Sequence, residues 1–582
     1  MPKYLDETGL ARYHGNVEKR PVQTFDTVAA MQAATWLKAG MTCHTNGFHA
    51  SGDGGAAYYT VGASGTANGM DVLALQGGLF AHLVVTEPCV TPEMFGAYGD
   101  GTHDDTAAIN RMFSVGKPSF LFSQKTYKVS AVVSVDANGI NIIGNGCTIA
   151  SGSASGLSIS ETSHDIEITG INFVQSFEVG STSATNYGIG ILGSSTTALY
   201  QAYNIRIAEC SFTGGVLGIS AINCQNIEIS NCEFGSFIYK PSDAAGGYAI
   251  LEQSCVNVYV HDCHFKTGDY GRHSIYVSVY QQKTENKMSR NVTIERCYFD
   301  NSGMTLQASG AFYSSDTSAV TIRHGEAITV NGCTLVGGTA IVTAIDEDGA
   351  ISASITDCTE IDGRYLTASS EAKSAININC SNTESRFKID GFSLKSSDGS
   401  LNALNDASLT GGTIEYGNST VHYRIYIYNV VRLHMHDMTI VNSGTLHYAG
   451  SDILTGKFER IKCGVAATFP AIDNGGSVDW SMYDEDAKSG FYLVSNGGMR
   501  YPAKAYMPVT AAMNNDNDVV FTFASLANRP WTVHAESMTL GVPKIYTFNM
   551  MDSGVNTNQL RMRVYNASGT QLTSGLESKI TF

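Results

Sequence analysis

The sequence predicts an all-β protein dominated by a parallel β-helix, and three observations predict it. The first is a register that recurs from about residue 142 to residue 463, in which two alternating apolar positions are followed by x-x-Cys-x-apolar. It reads NIRIAECSF (204–212), NIEISNCEF (226–234), NVYVHDCHF (257–265) and NVTIERCYF (291–299), with looser copies at DIEITGINF (165–173), AITVNGCTL (327–335) and VRLHMHDMTI (431–440). The Cys position, or Ile171 in its place, falls at 147, 171, 210, 232, 263, 297, 333 and 358, with gaps of 24, 39, 22, 31, 34, 36 and 25 residues. A unit this short cannot bury its apolar face alone, so neighbouring units must stack. The second observation is that alternation within each copy has period two, which is a strand pattern. Coils of 22–25 residues also leave no room for a pair of helices. The third is composition: 60 Gly and only 15% charged residues, with Asn, Gly, Ser and Asp at the corners where turns are needed. Coils longer than the minimum carry extra loops, and loops are where a groove is built.

The other elements follow in chain order. Residues 1–22 are polar and mixed in charge, an attachment arm. Residues 23–90 form a prelude, with a helical stretch over TVAAMQAATWLKAG (27–40) and a Gly-rich strand–turn piece at TNGFHASGDGGAAYYTVG (45–62). A short helix is expected at DDTAAINRMF (104–113), its Asp pair placed to cap the first turn. The helix domain spans 91–480, and VDWSMYDEDAKSG (478–490) reads as a linker. Residues 491–582 change to aromatic-rich runs such as DVVFTFASL and KIYTFNMM, expected to form a C-terminal β-sandwich.

Charge and cysteine usage narrow the function. A net charge of −17 argues against nucleic acid or an anionic membrane as partner. No run is long and apolar enough to span a membrane, and the N-terminus lacks a signal-peptide core; synthesis in a reducing cytosol is the simplest reading. Of 13 cysteines, seven occupy one register position of successive coils, which reads as a buried thiol ladder, not as disulfides. There is no CxxC pair to suggest zinc. His434 and His436 share a strand face, but a solvated or stacked face explains them better than a metal. No cofactor is implied.

One stretch is specific. VTPEMFGAYGDGTHDDTAAINRMF (90–113) resembles the entry motif of pectate-lyase-like right-handed β-helices, FGAxGDGxxDDTxAI. LKAGMTCHTNGFHASGDGGAAYYTV (37–61) resembles a small module found before that motif in bacteriophage tailspikes. With the coils, the resemblance covers roughly 440 residues. It implies a right-handed parallel β-helix, a homotrimeric tailspike in the virion, attachment to other phage tail proteins through the arm, and depolymerase activity on a bacterial capsular polysaccharide. The entry motif itself is structural: Asp100, Asp104 and Asp105 serve turns and a cap, and GDGG and GAYGDG are turns, with no long helix behind them to bind a dinucleotide. No G-x-S-x-G elbow is present.

The densest polar and aromatic constellation lies on the enlarged coils between Cys232 and Cys333. Lys240 and Arg272 stand at +8 and +9 from their register cysteines, so they should project from adjacent turns, about 4.8 Å apart in strand spacing. Asp243 and Asp269 bracket them, and Glu252 lies on the strand before the next register, aligned near Val277 on the following coil, with Tyr276 one position away. For hydrolysis, a carboxylic acid protonates the glycosidic oxygen while a carboxylate attacks or activates water; Glu252 and Asp269 are the expected pair, with Asp243 and Asp300 as substitutes. For β-elimination from a uronic acid, Lys240, Arg272, His273 and Tyr276 would carry the reaction. Tyr239, Tyr248 and Tyr270 would hold sugar rings with Lys240. Glycoside hydrolysis is the first expectation, lyase chemistry the second. A non-catalytic spike that holds glycan by stacking is the rival from another class, and solvated surface groups are the bland alternative for any one of these residues.

Overall fold

Corners decide how the chain coils. Asn204, Asn226 and Asn257, which open successive register strands, have φ of 55°, 54° and 58°, and Glu209, Asn231 and Asp262, which precede the register cysteines, have φ of 55°, 51° and 53°. A single left-handed residue turns one strand sharply into the next, and Asn and Asp enter that region at least cost. The opening asparagines then bond along the stack: Asn226 donates to Asn204 at 2.9 Å, Asn257 to Asn226 at 2.9 Å and Asn291 to Asn257 at 3.0 Å.

A computed structural model describes residues 22–85, 89–176, 186–193, 202–235, 237, 239–240, 245–266, 273–280, 288–300, 318–337, 340–346, 349–362, 374–395, 405–421, 424–428 and 430–440, and beyond these the backbone of short strands to Thr581. The chain divides into two compact units, residues 1–276 with 280–292, and 277–279 with 293–582.

In the first unit each coil contributes three strands to parallel ladders. One coil runs Gln225–Ser230, Glu233–Phe234 and Tyr248–Gln253. The first strands pair in register, Ile205 with Ile227 and Ile227 with Val258, and the third strands likewise, Ile219 with Ile250. Inside, Phe173, Phe212, Phe234 and Phe265 stack with ring centroids 5.1, 5.0 and 4.7 Å apart. The register cysteines Cys147, Cys210, Cys232 and Cys263 are buried free thiols. Burial pushes the Cys147 thiol up, so these sulfurs pack as inert apolar groups.

The prelude is a five-stranded sheet in the order Gln23–Phe25, Thr42–Thr45, Ala57–Gly62, Phe80–Val84, Val72–Ala74, over a core that includes Val28, Met31, Cys43, Tyr59 and Val61. Its helix is shorter than the sequence pattern suggested. It covers Val28–Ala33, with Thr27 Oγ1 accepting the Ala30 N–H at 3.2 Å. The chain then leaves the helix, which lets Leu37 enter the sheet core and Trp36 stack on Phe25. The GDGG segment is a turn because it abuts the coils: a Cβ at Gly55 would sit 2.5 Å from the Glu93 carbonyl oxygen. Buried Glu93 meets Lys125 Nζ at 3.1 Å and accepts from the Tyr127 hydroxyl at 2.7 Å.

The entry motif's Asp pair splits its work. Helix Thr106–Phe113 has Asp105 at its N-cap without a side-chain cap bond; that carboxylate turns back to accept the N–H groups of Tyr98 and Gly99 at 2.7 and 3.1 Å. Asp104 accepts from Thr106 N at 3.1 Å and Ser130 Oγ at 2.5 Å instead. The expectation that these carboxylates are structural matches these bonds, although only Asp104 bonds to the helix start.

The second unit repeats the coil. Its first strands, from Gly325–Asn331 through Ile351–Thr356, Arg386–Asp390, Thr413–Gly417, Arg432–His436 and Thr455–Glu459 to Ser477–Ser481, pair parallel in sequence. Ser477–Ser481 therefore still belongs to the coils, a few residues into the stretch read as linker. Beyond it, strands Tyr506–Pro508, Ser578–Thr581 and His534–Ser537 form one antiparallel sheet, and Ala512–Met513, Val519–Thr522, Gln559–Tyr565 and Thr547–Met551 another.

Candidate functional site

The third strands of the first unit repeat a pattern of their own. YGIGI (187–191), LGISA (217–221), YAILE (248–252) and HSIYV (273–277) place a large residue first, a small one second and Ile third. Tyr187 pairs with Leu217 and Leu217 with Tyr248, while Ile189, Ile219 and Ile250 form the inward column. By strand alternation Gly190, Ser220, Leu251 and Tyr276 point away from the core. The first residue of each strand folds over that outer face, and a Cβ at Gly190 would sit 2.5 Å from the Tyr187 ring.

The result is an aromatic set outside the solenoid core. Tyr248 lies 4.9 Å from Tyr276 and 5.5 Å from His273, and His273 lies 5.3 Å from Tyr276, all with nearly parallel rings. Val216, Leu217, Tyr187 and Leu251 pack with these tyrosines. Although outside the core, the rings are well covered: Tyr248 is 5% exposed, His273 2% and Tyr276 8%. Ser220 and Ser274, on the same strands, are buried. A cavity of about 10 Å³ lies at the corner of His273, Ser274, Lys266, Phe237 and Gly247.

Of the residues singled out by sequence, the structure brings Tyr248, His273 and Tyr276 together. Glu252 goes elsewhere, and the expectation that it faces a groove is corrected. It has the parity of Ile250, pairs in register with Ala221, and is 1% exposed. Its Oε1 accepts the Cys255 N–H at 2.7 Å and the Ser289 hydroxyl at 2.9 Å, and its Oε2 has no hydrogen-bond partner. Burial pushes its pKa up to about 8, so near neutral pH it is chiefly a protonated acid enclosed by the coils, tying a corner to the next coil. The reason is the two-residue period, which assigns Leu251 and Gln253 to the outer face and Glu252 to the inner.

Tyr239 and Lys240 begin a two-strand hairpin with Ala245–Gly246 just ahead of Tyr248; their side chains, and Asp243, Asp269, Tyr270 and Arg272, lie outside the described residues. Asp300 ends strand Tyr298–Asp300 in the second unit, half-buried and in register with Val336. No cluster of three or more metal-ligating side chains occurs among the described residues. His436 meets Glu415 at 3.5 Å and Asp437 at 3.0 Å, an ordinary surface pairing. Sequence reading missed Tyr187, Leu217 and Ser220. The signal that could have found them is the second repeat, which contains no cysteine and so escapes a search keyed on the register.

No protein-family model matches the chain, and no curated protein matches it in sequence. Among solved structures it is similar to the gp42 tailspike of Acinetobacter phage vb_AbaP_AS12, at 13% identity and a TM-score of 0.50, covering 95% of this chain and 94% of that one. It is also similar to the gp49 tailspike of the Acinetobacter baumannii phage Fri1, a capsular polysaccharide depolymerase, at 12% identity and TM-score 0.39, covering 96% and 95%. PfbA, a surface adhesin of Streptococcus pneumoniae, matches at 13% identity and TM-score 0.44, covering 66% and 93%. The first likeness agrees with the coil geometry, and the fold is a right-handed parallel β-helix.

Proposed function

We propose that this chain is a phage tailspike that binds a bacterial surface polysaccharide along the outer face of its third sheet and cleaves it internally by glycoside hydrolysis. The observation that carries the reading is the covered aromatic and hydroxyl set of Tyr248, His273, Tyr276 and Ser220 on the outside of coils that also carry the insertions. Stacked on one another and almost wholly covered, these rings would form the floor of a glycan site whose sugar-stacking tyrosines are Tyr239 and Tyr270. The cluster lies outside the core and is distinct from the stacked Phe column within.

With Glu252 enclosed, the carboxylates assigned to the chemistry are Asp243 and Asp269, each on the insertion just before the strand that bears Tyr248 or His273. One would protonate the glycosidic oxygen and the other attack the anomeric carbon or activate water. Asp300 is their substitute, and Lys240, Arg272, Tyr239 and Tyr270 would hold substrate. One observation favours a second reading. His273 and Tyr276, a base and a phenol, stand ring to ring at 5.3 Å, a set suited to β-elimination from a uronic acid. As a spike, the protein would act at the host cell surface as a homotrimer, joined to other tail proteins through residues 1–22.

Digestion of purified capsule tests the reading. New reducing ends without an ultraviolet-absorbing unsaturated uronate mean a hydrolase, both together mean a lyase, and retained binding with neither means a non-catalytic spike. A monomer in sedimentation at micromolar concentration would contradict the trimer.

A further inference from the structure

We propose that Cys224 and Cys255 are a disulfide-forming pair that joins two successive coils beneath the aromatic face, while the register cysteines stay reduced. Both are free and fully enclosed, and their sulfurs stand 3.2 Å apart, inside ordinary sulfur–sulfur contact. They occupy matching corners, Cys224 after Leu217–Ile222 and Cys255 after Tyr248–Gln253, and Val256 N–H donates to the Cys224 carbonyl at 3.0 Å. Neighbouring parallel strands are spaced about 4.8 Å apart, within the Cα range of roughly 4.4–6.8 Å that a disulfide spans.

The register cysteines also neighbour one another along the stack, Cys210 beside Cys232 and Cys232 beside Cys263, but their thiols have close backbone acceptors. Cys210, Cys232 and Cys263 each direct the thiol at the carbonyl two residues earlier, at 3.3 Å. Cys255 also reaches the Gln253 carbonyl, but at 3.5 Å, farther than it lies from Cys224. Left-handed corners at Asn223 and Ser254, with φ of 51° and 55°, set both cysteines at equivalent points. The link would close the coil that carries Tyr248 and the Tyr239–Gly246 hairpin.

The oxidant is a peroxide. One thiol attacks hydrogen peroxide to give a sulfenic acid and water; the second thiol displaces a second water and forms the S–S bond. Two thiols lose two electrons and two protons in all. Burial holds the Cys255 thiol well above its usual range, so the step is slow and needs prolonged exposure. The inference does not depend on the glycan reading.

The test incubates the folded full chain with hydrogen peroxide, then denatures it in N-ethylmaleimide without reductant. Trypsin alone leaves these cysteines on one peptide, because Lys240 precedes Pro241. Cleavage after Phe212, Glu228, Glu252 and Tyr259 isolates 213–228 and 253–259, each with a single cysteine. The expected result is these two peptides linked in most molecules, with Cys210, Cys232 and Cys263 alkylated. Recovery of Cys224 and Cys255 both alkylated, or linked to other cysteines, overturns the proposal. Cys255→Ser, or Cys224→Ser if the first fails to fold, should leave the remaining partner alkylated; a disulfide on it would also overturn the pairing.

Discussion

Two outer faces of the same coils make a sharp contrast. On the first-strand face Arg206 pairs with Glu167 and, at 3.2 Å, with Glu228, while His261 lies 2.7 Å from Asp262. Arg206 and its two glutamates are solvated, at 42%, 43% and 40% exposure. On the third-strand face Tyr248, His273, Tyr276 and Ser220 are almost wholly covered. Both faces come from strands of six residues, Gln225–Ser230 and Tyr248–Gln253, in one coil. In sequence the insertions lie next to the third strand, not within the first. A solenoid thus keeps one face as plain surface and elaborates the other without disturbing its core.

The largest effect that would sharpen this contrast is catalytic. Asp269→Asn and Asp243→Asn should each lower the rate of polysaccharide cleavage by about 10²–10⁴-fold, with binding retained. The wild-type rate in both variants, together with a dead Lys240→Ala or Arg272→Ala, would transfer the chemistry to the lyase reading. Full activity in all four would remove the site from these coils.

Next is the acid beneath the third sheet. Glu252 has a folded pKa of about 8 against an ordinary 4.5, so the unfolded chain releases the proton first as pH rises. Its contribution is fully present below pH 4.5 and is lost progressively up to about pH 8, in total roughly 4–5 kcal/mol. Denaturant unfolding of the wild type should therefore weaken across that window, and Glu252→Gln should flatten the dependence. An unchanged slope in the variant would mean that the carboxyl reaches solvent and that the two faces are not separated as described.

The remaining two substitutions compare the faces directly. Tyr276→Ala removes a buried ring and should lower stability by about 3–5 kcal/mol, along with glycan affinity. Arg206→Ala removes a solvated ion pair and should change stability by only about 0–1 kcal/mol. Equal losses in calorimetry would abolish the distinction between a covered face and a plain one.

Much of this architecture is legible in the residues. The spacing of Cys210, Cys232 and Cys263 marks the coils, and the apolar position two residues later is the Phe212–Phe234–Phe265 stack. Both follow because a repeated period-two strand has only one way to bury its apolar side in a parallel stack. Asp104 and Asp105 also read correctly as structural, since a carboxylate beside a turn and a helix start has backbone N–H groups to accept. The site is harder to read. Tyr248, His273 and Tyr276 are recognisable as candidates, and alternation puts Glu252 on the side of Ile250, but which side that is depends on how the strand is entered.

What the sequence by itself determined is therefore the solenoid: strand positions, the buried thiol and Phe columns, and which coils carry insertions. These depend on periodicity, which is local and additive along the chain. Only the tertiary structure decided which way the third strand faces and which rings it gathers. An insertion precedes that strand, and a shift of one residue at the corner exchanges its two faces. It likewise brought Cys224 against Cys255, because their meeting depends on the corner geometry of two coils, which no spacing within either coil encodes.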